Sequence, residues 1–426
     1  MAGTEIISTV KSSAFDAAAA TRAYLDSMPP EQAAQTASYH EGQIWLIPIS
    51  AAVSLLVAYL ILQSGLARGL RDKLEGKMPV WSAVFPFAFV FFIVSSVLEL
   101  PYAYYEGFIR EHAYGLATQS TLEWLTDWGK ELAIASLIGA IVIGLLYLLM
   151  RKFTRSWWIL GTFGSGLFIY LLLTFSPLYL DPIFNDYTSI EEGELRDNLL
   201  AMAESEEIPV DDVVVYTSSD QSNRITANVS GVGDSIRIAL GDTMIEQVEL
   251  DESRYIMAHE MGHYKLGHTK RSIIFISLLI GFGLALMHFG FSWANRKFGK
   301  SWDIRDIGDA AGMPLFIGLF GVISVFLTPL QYNYIRMGEV EADLYGLEVS
   351  RNPDGMATTA LRLSTYRELE PGRWEEIFFR HHPSGASRVT MAMNWKAKQL
   401  VAGAEDQTVD LKLERAKAIF AEPAGE

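Results

Sequence analysis

The 426-residue chain contains no cysteine. That removes disulfides, thiolate metal sites and cysteine nucleophiles from consideration. Any metal ion must therefore be held by His, Asp or Glu. Positive charge is also scarce, with 34 Lys and Arg against 50 Asp and Glu and a formal net charge of -16. No basic stripe is available to neutralise phosphates, so nucleic acid is excluded as a partner. Residues Met1 to Gln43 are mildly acidic and lack the basic start and short apolar core of a cleavable signal peptide. The run Ala17 to Ala20 with Tyr24 and Leu25 reads as a short surface helix without chemistry. No internal repeat is evident.

What the chain does have is clustered hydrophobicity. Half of its residues are hydrophobic, and they concentrate in six stretches rather than spreading evenly. These run Ile44–Leu62, Val80–Leu98, Leu132–Met150, Trp157–Leu173, Ile273–Phe291 and Met313–Leu330. Each approaches the length of about 20 residues that a helix needs to cross a bilayer. Buried core helices of a soluble protein are the bland alternative, but six nearly uncharged stretches argue against it. Trp45, Trp81, Trp157, Trp158 and Trp293 lie near span ends, as interfacial anchors do. The predicted fold is therefore predominantly α, a multi-pass helical membrane protein.

Between the fourth and fifth spans, Tyr179 to Arg271 form a soluble segment. It starts with an acidic helix-like stretch, Glu191 to Glu207. Val213–Tyr216, Thr226–Ser230 and Ile236–Leu240 read as a small sheet, with turns at Ser218–Asn223 and Gly231–Ser235. The predicted organisation is a tail (1–43), four spans (44–178), a soluble catalytic segment (179–272), two spans (273–332) and a helical C-terminal segment (333–426).

The chemistry-bearing motif is H-E-x-x-H at His259, Glu260 and His263. Residues four apart share a helix face, so both imidazoles reach one metal ion with Glu260 beside them. The helix-compatible run extends from Ser253 to His268. Zinc suits imidazole and carboxylate ligands, and a catalytic site keeps one position open for water. The ion lowers the water pKa, and Glu260 takes the proton as general base. A third ligand is required. His268 is displaced by one position from a longer histidine motif and reads as a polar residue at the helix end. Glu339 and Asp343 share a helix face four residues apart, so Glu339 could complete the set with Asp343 orienting an imidazole. A solvated acidic face is the equal alternative on spacing alone, and Glu341 reads as such a surface residue. Tandem His381 and His382, in Arg380-His381-His382-Pro383-Ser384 with Arg388 following, offer a donor for an oxyanion or merely a polar loop.

Together these residues resemble the type I CAAX prenyl endopeptidases and their bacterial relatives, a family of membrane gluzincins. The resemblance extends from about Gly42 to Ala397. It is carried by Ala258-His259-Glu260-Met261-Gly262-His263-Tyr264-Lys265-Leu266-Gly267-His268, by Arg336-x-x-Glu339-x-x-Ala342-Asp343, and by His382-Pro383 with Arg388. It implies a gluzincin zinc-protease domain containing the small β-sheet, one Zn2+ per chain, Glu339 as third ligand and His382 beside the scissile carbonyl. Arg388 is then a structural or substrate-orienting partner. The stretch before Gly231 resembles an edge strand that pairs with extended substrate. The family's Asn-Ala there is Thr226-Ala227 in this chain, with Asn228 following, which bears on substrate choice and not on the metal.

The implied partners are a peptide or protein substrate, with or without a lipid, and the bilayer. Prenylated CAAX-type C-termini and unfolded membrane proteins are both candidate substrates, the latter in a bacterial inner membrane. A metal transporter using intramembrane His288, or an inactive scaffold, are the rival readings. The resemblance places the catalytic segment on the cytoplasmic side. The basic loops at Arg68–Lys77, Arg151–Arg155 and Arg296–Arg305 place it on the opposite side.

Overall fold

The computed structural model describes residues 15–210, 212–230, 236–402, 416, 417, 419 and 420. The chain runs through α1 (Ala17–Leu25), α2 (Pro30–Gln63), α3 (Leu66–Glu75), α4 (Val80–Tyr104), α5 (Arg110–Ala113), α6 (Thr121–Lys152) and α7 (Trp157–Phe175). Then come β1 (Tyr187–Ser189), α8 (Glu194–Ser205), β2 (Val213–Tyr216), β3 (Ala227–Ser230), β4 (Arg237–Gly241), α9 (Asp242–Gln247) and α10 (Leu250–Lys265). The remainder is α11 (His268–Trp302), α12 (Met313–Ser350), α13 (Pro353–Leu363), α14 (Arg373–Phe379) and α15 (Gly385–Ala402).

Among the described residues, six helices are long and apolar enough to cross a membrane, and each contains one of the six predicted spans. Their outward faces stay apolar: Leu137, Phe163, Leu278, Phe289 and Phe326 are all exposed. A soluble protein rarely leaves so much apolar surface uncovered, whereas lipid covers it at no cost. Inside the bundle, Val84, Phe87, Tyr147, Met150, Trp157 and Phe291 are almost fully buried. Trp157 is thus a core residue and not an interfacial anchor. Its indole N–H donates to His288 Nδ1 at 3.1 Å, because a buried indole donor needs a partner and hydrocarbon supplies none. That contact also occupies the intramembrane His288. Trp45, Trp81 and Trp293 remain more than half exposed, as anchors are.

The spans do not stop where hydrophobicity stops. Backbone hydrogen bonding carries α2 back to Pro30, so residues 30–43 are its first turns. It carries α12 on to Ser350, 20 residues past the apolar run. The last turns of α12 therefore continue past the apolar run as one unbroken helix. The stretch Ala17–Leu25 is helical as expected, with one face exposed at Ala18, Ala19 and Arg22 and the other packed on the protein. Tyr24 is completely buried, and α1 packs on α13 and α15 in a cluster with Met356, Leu361, Val389 and Met393.

The segment between the fourth and fifth spans contains a four-stranded sheet in the order β1-β2-β4-β3. β2 and β4 run parallel, with Val213 opposite Ile238. β3 joins β4 antiparallel, with Ala227 opposite Leu240 and Asn228 opposite Ala239. That leaves β3 as an edge strand. α8, α9 and α10 pack against the sheet through Leu199, Met244, Met257 and Met261. The expected turn Gly231–Ser235 lies outside the described residues, as do Met1–Ala14 and most of the chain after residue 402.

Candidate active site

α10 carries the H-E-x-x-H motif. The Glu252 side chain accepts from the Glu249 backbone N–H at 3.3 Å, closing the first turn, and Arg362 Nε donates to Glu252 Oε2 at 3.2 Å. The helix ends at Lys265, earlier than the sequence suggested, because Gly267 turns left-handed at φ 65°. His268 therefore opens α11 instead of closing α10.

α10 crosses α12 closely, and two glycines allow it. A Cβ on Gly262 would sit 3.1 Å from the Tyr345 ring, and one on Gly346 would sit 3.2 Å from the His259 backbone nitrogen. This approach brings Glu339 of α12 to the motif. His259 Nε2 lies 3.1 Å from His263 Nε2, and the two lie 3.5 and 3.4 Å from the Glu339 carboxylate. Two imidazole nitrogens facing each other beside a carboxylate are a donor set for a cation. A tetrahedral ion with ligand distances of about 2.0–2.2 Å separates its ligand atoms by about 3.3–3.6 Å. The observed separations come close to that spacing, so His259, His263 and Glu339 fit a zinc-sized ion.

Each imidazole is held from behind by a different support. His259 Nδ1 lies 2.9 Å from Asp343 Oδ1. Asp343 is fully buried, accepts from Tyr255 Oη at 2.9 Å and accepts from Arg388 Nε at 2.8 Å. Arg388 Nη2 also donates to Glu339 Oε2 at 3.0 Å, so one guanidinium ties both carboxylates together. His263 Nδ1 lies 2.8 Å from His268 Nδ1, and His268 Nε2 lies 3.1 Å from Glu341 Oε2. Arg271 Nη1 donates to the same Glu341 oxygen at 2.6 Å. The sequence reading set His268 and Glu341 aside as a helix-end polar residue and a solvated acid. The structure places both in a chain of contacts behind His263. The spacing of the two alone gave no signal, since it takes the α10–α11 bend and the α12 extension to bring them together.

Glu260 sits beside these groups, half-buried, and burial raises its pKa above the usual carboxylate range. His259 feels burial, which disfavours its charged form, but Asp343 and Glu339 outweigh that and push it up to about 10. His382 Nε2 lies 3.4 Å from Glu339 Oε2. Burial and the neighbouring Arg367 charge hold His382 neutral, well below the usual histidine pKa. The loop bearing it is fixed to α12, where Arg336 Nη1 donates to the Arg380 carbonyl at 2.6 Å and Asn333 Nδ2 to the Ile377 carbonyl at 2.8 Å. Of the strand residues, Thr226 Oγ1 accepts from Tyr216 Oη at 2.8 Å. Ala227 and Asn228 lie on β3, against α10. Asn228 Oδ1 is buried and has no hydrogen-bond partner among the described residues.

His381 and His382 also line a cavity of about 770 Å³. Its walls come from α2, α12 and the segment around Tyr366–Arg380, with small polar groups such as Ser50, Ser54, Ser324 and Thr328 inside the span region. The site thus opens onto a chamber within the helical bundle whose walls mix these polar groups with apolar side chains such as Ile44, Ile47 and Val325.

Two sequence profiles match this chain. The one described as Peptidase family M48 covers residues 189–396, and the one described as CAAX prenyl protease N-terminal, five membrane helices, covers residues 16–186. Four of the candidate spans fall in the second region. An uncharacterized metalloprotease of Bacillus subtilis is 26% identical over 86% of each chain. CAAX prenyl protease 1 of Saccharomyces cerevisiae is 31% identical over 43% of this chain and 41% of its own. The crystal structure of S. mikatae Ste24p shares the fold, with a TM-score of 0.70 at 21% identity over 88% of this chain and 96% of that one. The motif, the bundle that surrounds it and these matches agree, and the chain belongs to the type I CAAX prenyl protease family of membrane zinc metalloproteases.

Proposed function

We propose that the protein is a one-zinc endopeptidase in which His259, His263 and Glu339 hold the ion and Glu260 is the general base. The observation that carries this reading is the convergence of the three ligand atoms at 3.1–3.5 Å beside Glu260. A zinc ion bound there supplies Lewis-acid activation of a water molecule and of the scissile carbonyl. Glu260 accepts the water proton and passes it to the leaving amine; its raised pKa suits both transfers. Neutral His382 retains an N–H to donate to the carbonyl oxygen as negative charge develops there. Once an ion displaces the Nε2 proton of His259, Asp343, 2.9 Å from Nδ1, would keep the remaining proton on that side of the ring. β3 is the edge against which an extended substrate adds as a further strand, with Thr226, Ala227 and Asn228 along it.

The substrates are unfolded or membrane-anchored proteins of a bacterial plasma membrane, reaching the site through the chamber within the bundle. A second reading, cleavage of prenylated CAAX-type C-termini, draws on the names of the yeast and plant relatives and on apolar chamber residues such as Ile44, Ile47 and Val325. The purified protein should cleave an unfolded casein-like substrate, lose that activity to a chelator and regain it with zinc. Glu260→Gln should keep the zinc and the fold while losing cleavage by at least about a thousandfold. Full activity in that variant would sink the mechanism. Matched peptides with and without a prenyl group separate the two substrate readings, and a reporter fused after Glu426 separates the two orientations.

A further inference from the structure

The short helix α14 is built the wrong way round for a helix in water. Its two acids turn toward the protein: Glu375 pairs with Arg380, and Glu376 Oε1 accepts from the Ser384 backbone N–H at 3.1 Å. Trp374 and Phe378, four residues apart on one helix face, are turned away from it. They are 68% and 43% exposed, and their rings stack with centroids 6.1 Å apart. Neither lines the chamber, which the next residue, Phe379, does reach. Polar groups inward and large apolar groups outward is the arrangement of the spans, whose surroundings are apolar too.

Two spans measure the depth at which α14 lies. On α12 the apolar run ends at Leu330, and the residues that bind α14 follow it. Asn333 Nδ2 donates to the Ile377 carbonyl at 2.8 Å, and Arg336 Nη1 donates to the Glu376 carbonyl. At about 1.5 Å per residue, these two stand about 4.5 and 9 Å beyond the run. On α2 the apolar run begins at Ile44. Arg380, the residue after α14, donates to His40 Nδ1 at 2.6 Å, about 6 Å outside that start. Headgroups occupy about 5–7 Å on each side of the hydrocarbon core, so both spans put α14 in that layer. Trp45, near the start of the run on α2, is exposed as well, and the Arg373 guanidinium lies 5.9 Å from the centre of the Trp374 ring. Aromatic rings and cations at this level are what a bilayer surface accommodates. We propose that α14 is an interfacial helix, with Trp374 and Phe378 inserted among the lipids of the surrounding bilayer and Arg373 at their phosphates. The helix leads directly into His381 and His382, so this contact sets the depth of the chamber wall that they form.

Because the chain has no cysteine, a single introduced cysteine in the full-length protein carries one nitroxide label at a chosen place. The test sites are Trp374→Cys and Phe378→Cys. Phe326→Cys, on the exposed face of a span, is the lipid reference. Glu348→Cys is the water reference, since it lies 18 residues past Leu330, about 27 Å further along α12. The labelled protein is reconstituted in vesicles of phosphatidylethanolamine and phosphatidylglycerol. Electron paramagnetic resonance then reads collision with oxygen, which concentrates in lipid, and with a water-soluble nickel chelate. The oxygen-to-nickel ratio at both test sites should exceed that at Glu348 severalfold and approach that at Phe326. A ratio at either test site no higher than at Glu348 overturns the proposal, because that ring would then face water. Shielding of either label from both reagents overturns it too, since a second copy or another protein would then cover the face. Melting temperature in detergent establishes that each variant folds, and the two test sites are read separately, so one suffices where the other variant is unstable.

Discussion

The two motif histidines are four residues apart on one helix, yet they are supported in opposite ways. Behind His259 the support is buried: Asp343 and Arg388 are shielded from water, and the same guanidinium braces Glu339. Behind His263 the support runs outward through His268 to Glu341 and Arg271, whose side chains are 39% and 47% exposed. Both arrangements set a polar group within 3 Å of an imidazole Nδ1. In the buried one, each charge depends on its partner, because water cannot replace it. In the outward one, solvent substitutes readily for the last links. The less replaceable support is therefore the buried one around Asp343 and Arg388, and the path through His268 at the bend between α10 and α11 has the more replaceable links.

That contrast can be broken most sharply at Asp343. Asp343→Ala leaves Arg388 buried with only Glu339 and removes the oxygen facing His259. It should destabilise the protein by about 3–5 kcal/mol and weaken zinc binding by up to about a hundredfold, as read by denaturant unfolding in detergent and by chelator competition. Gly346→Ala comes next. Its methyl would press on the His259 backbone, which cannot move without shifting the motif, so a loss of about 1–3 kcal/mol is expected in the same unfolding assay. On the outward side, His268→Ala should weaken zinc by about tenfold with little change in melting temperature. If it costs as much stability as Asp343→Ala, the distinction between the two supports fails. The smallest effect belongs to Glu341→Ala, which should change stability by less than about 1 kcal/mol and should do so less at high salt.

Local features of this protein were legible in the sequence because they depend on neighbours along the chain. The six spans follow from uninterrupted apolar runs, and the helix presenting His259, Glu260 and His263 follows from their spacing. β2 was visible as a β-branched run and β3 and β4 as short stretches on either side of a Gly-rich turn, whereas β1, only three residues long, gave no periodicity to detect. The sequence reading of Trp157 as an anchor failed for a related reason: position near a span end says nothing about which way a side chain faces. Rotation of α7 against α11 turned it inward to His288.

On its own, then, the sequence determined a helical membrane protein with half of a metal site, since hydropathy and helical periodicity are properties of contiguous residues. The resemblance to a protease family added Glu339 and His382 as expectations. Only the tertiary structure decided that α12 runs unbroken from the bilayer to Ser350 and that Gly262 and Gly346 let it close on α10. It alone decided which of the acids along α12 faces which histidine. Those outcomes depend on how helices far apart in sequence cross, and a crossing is fixed by packing on both partners at once.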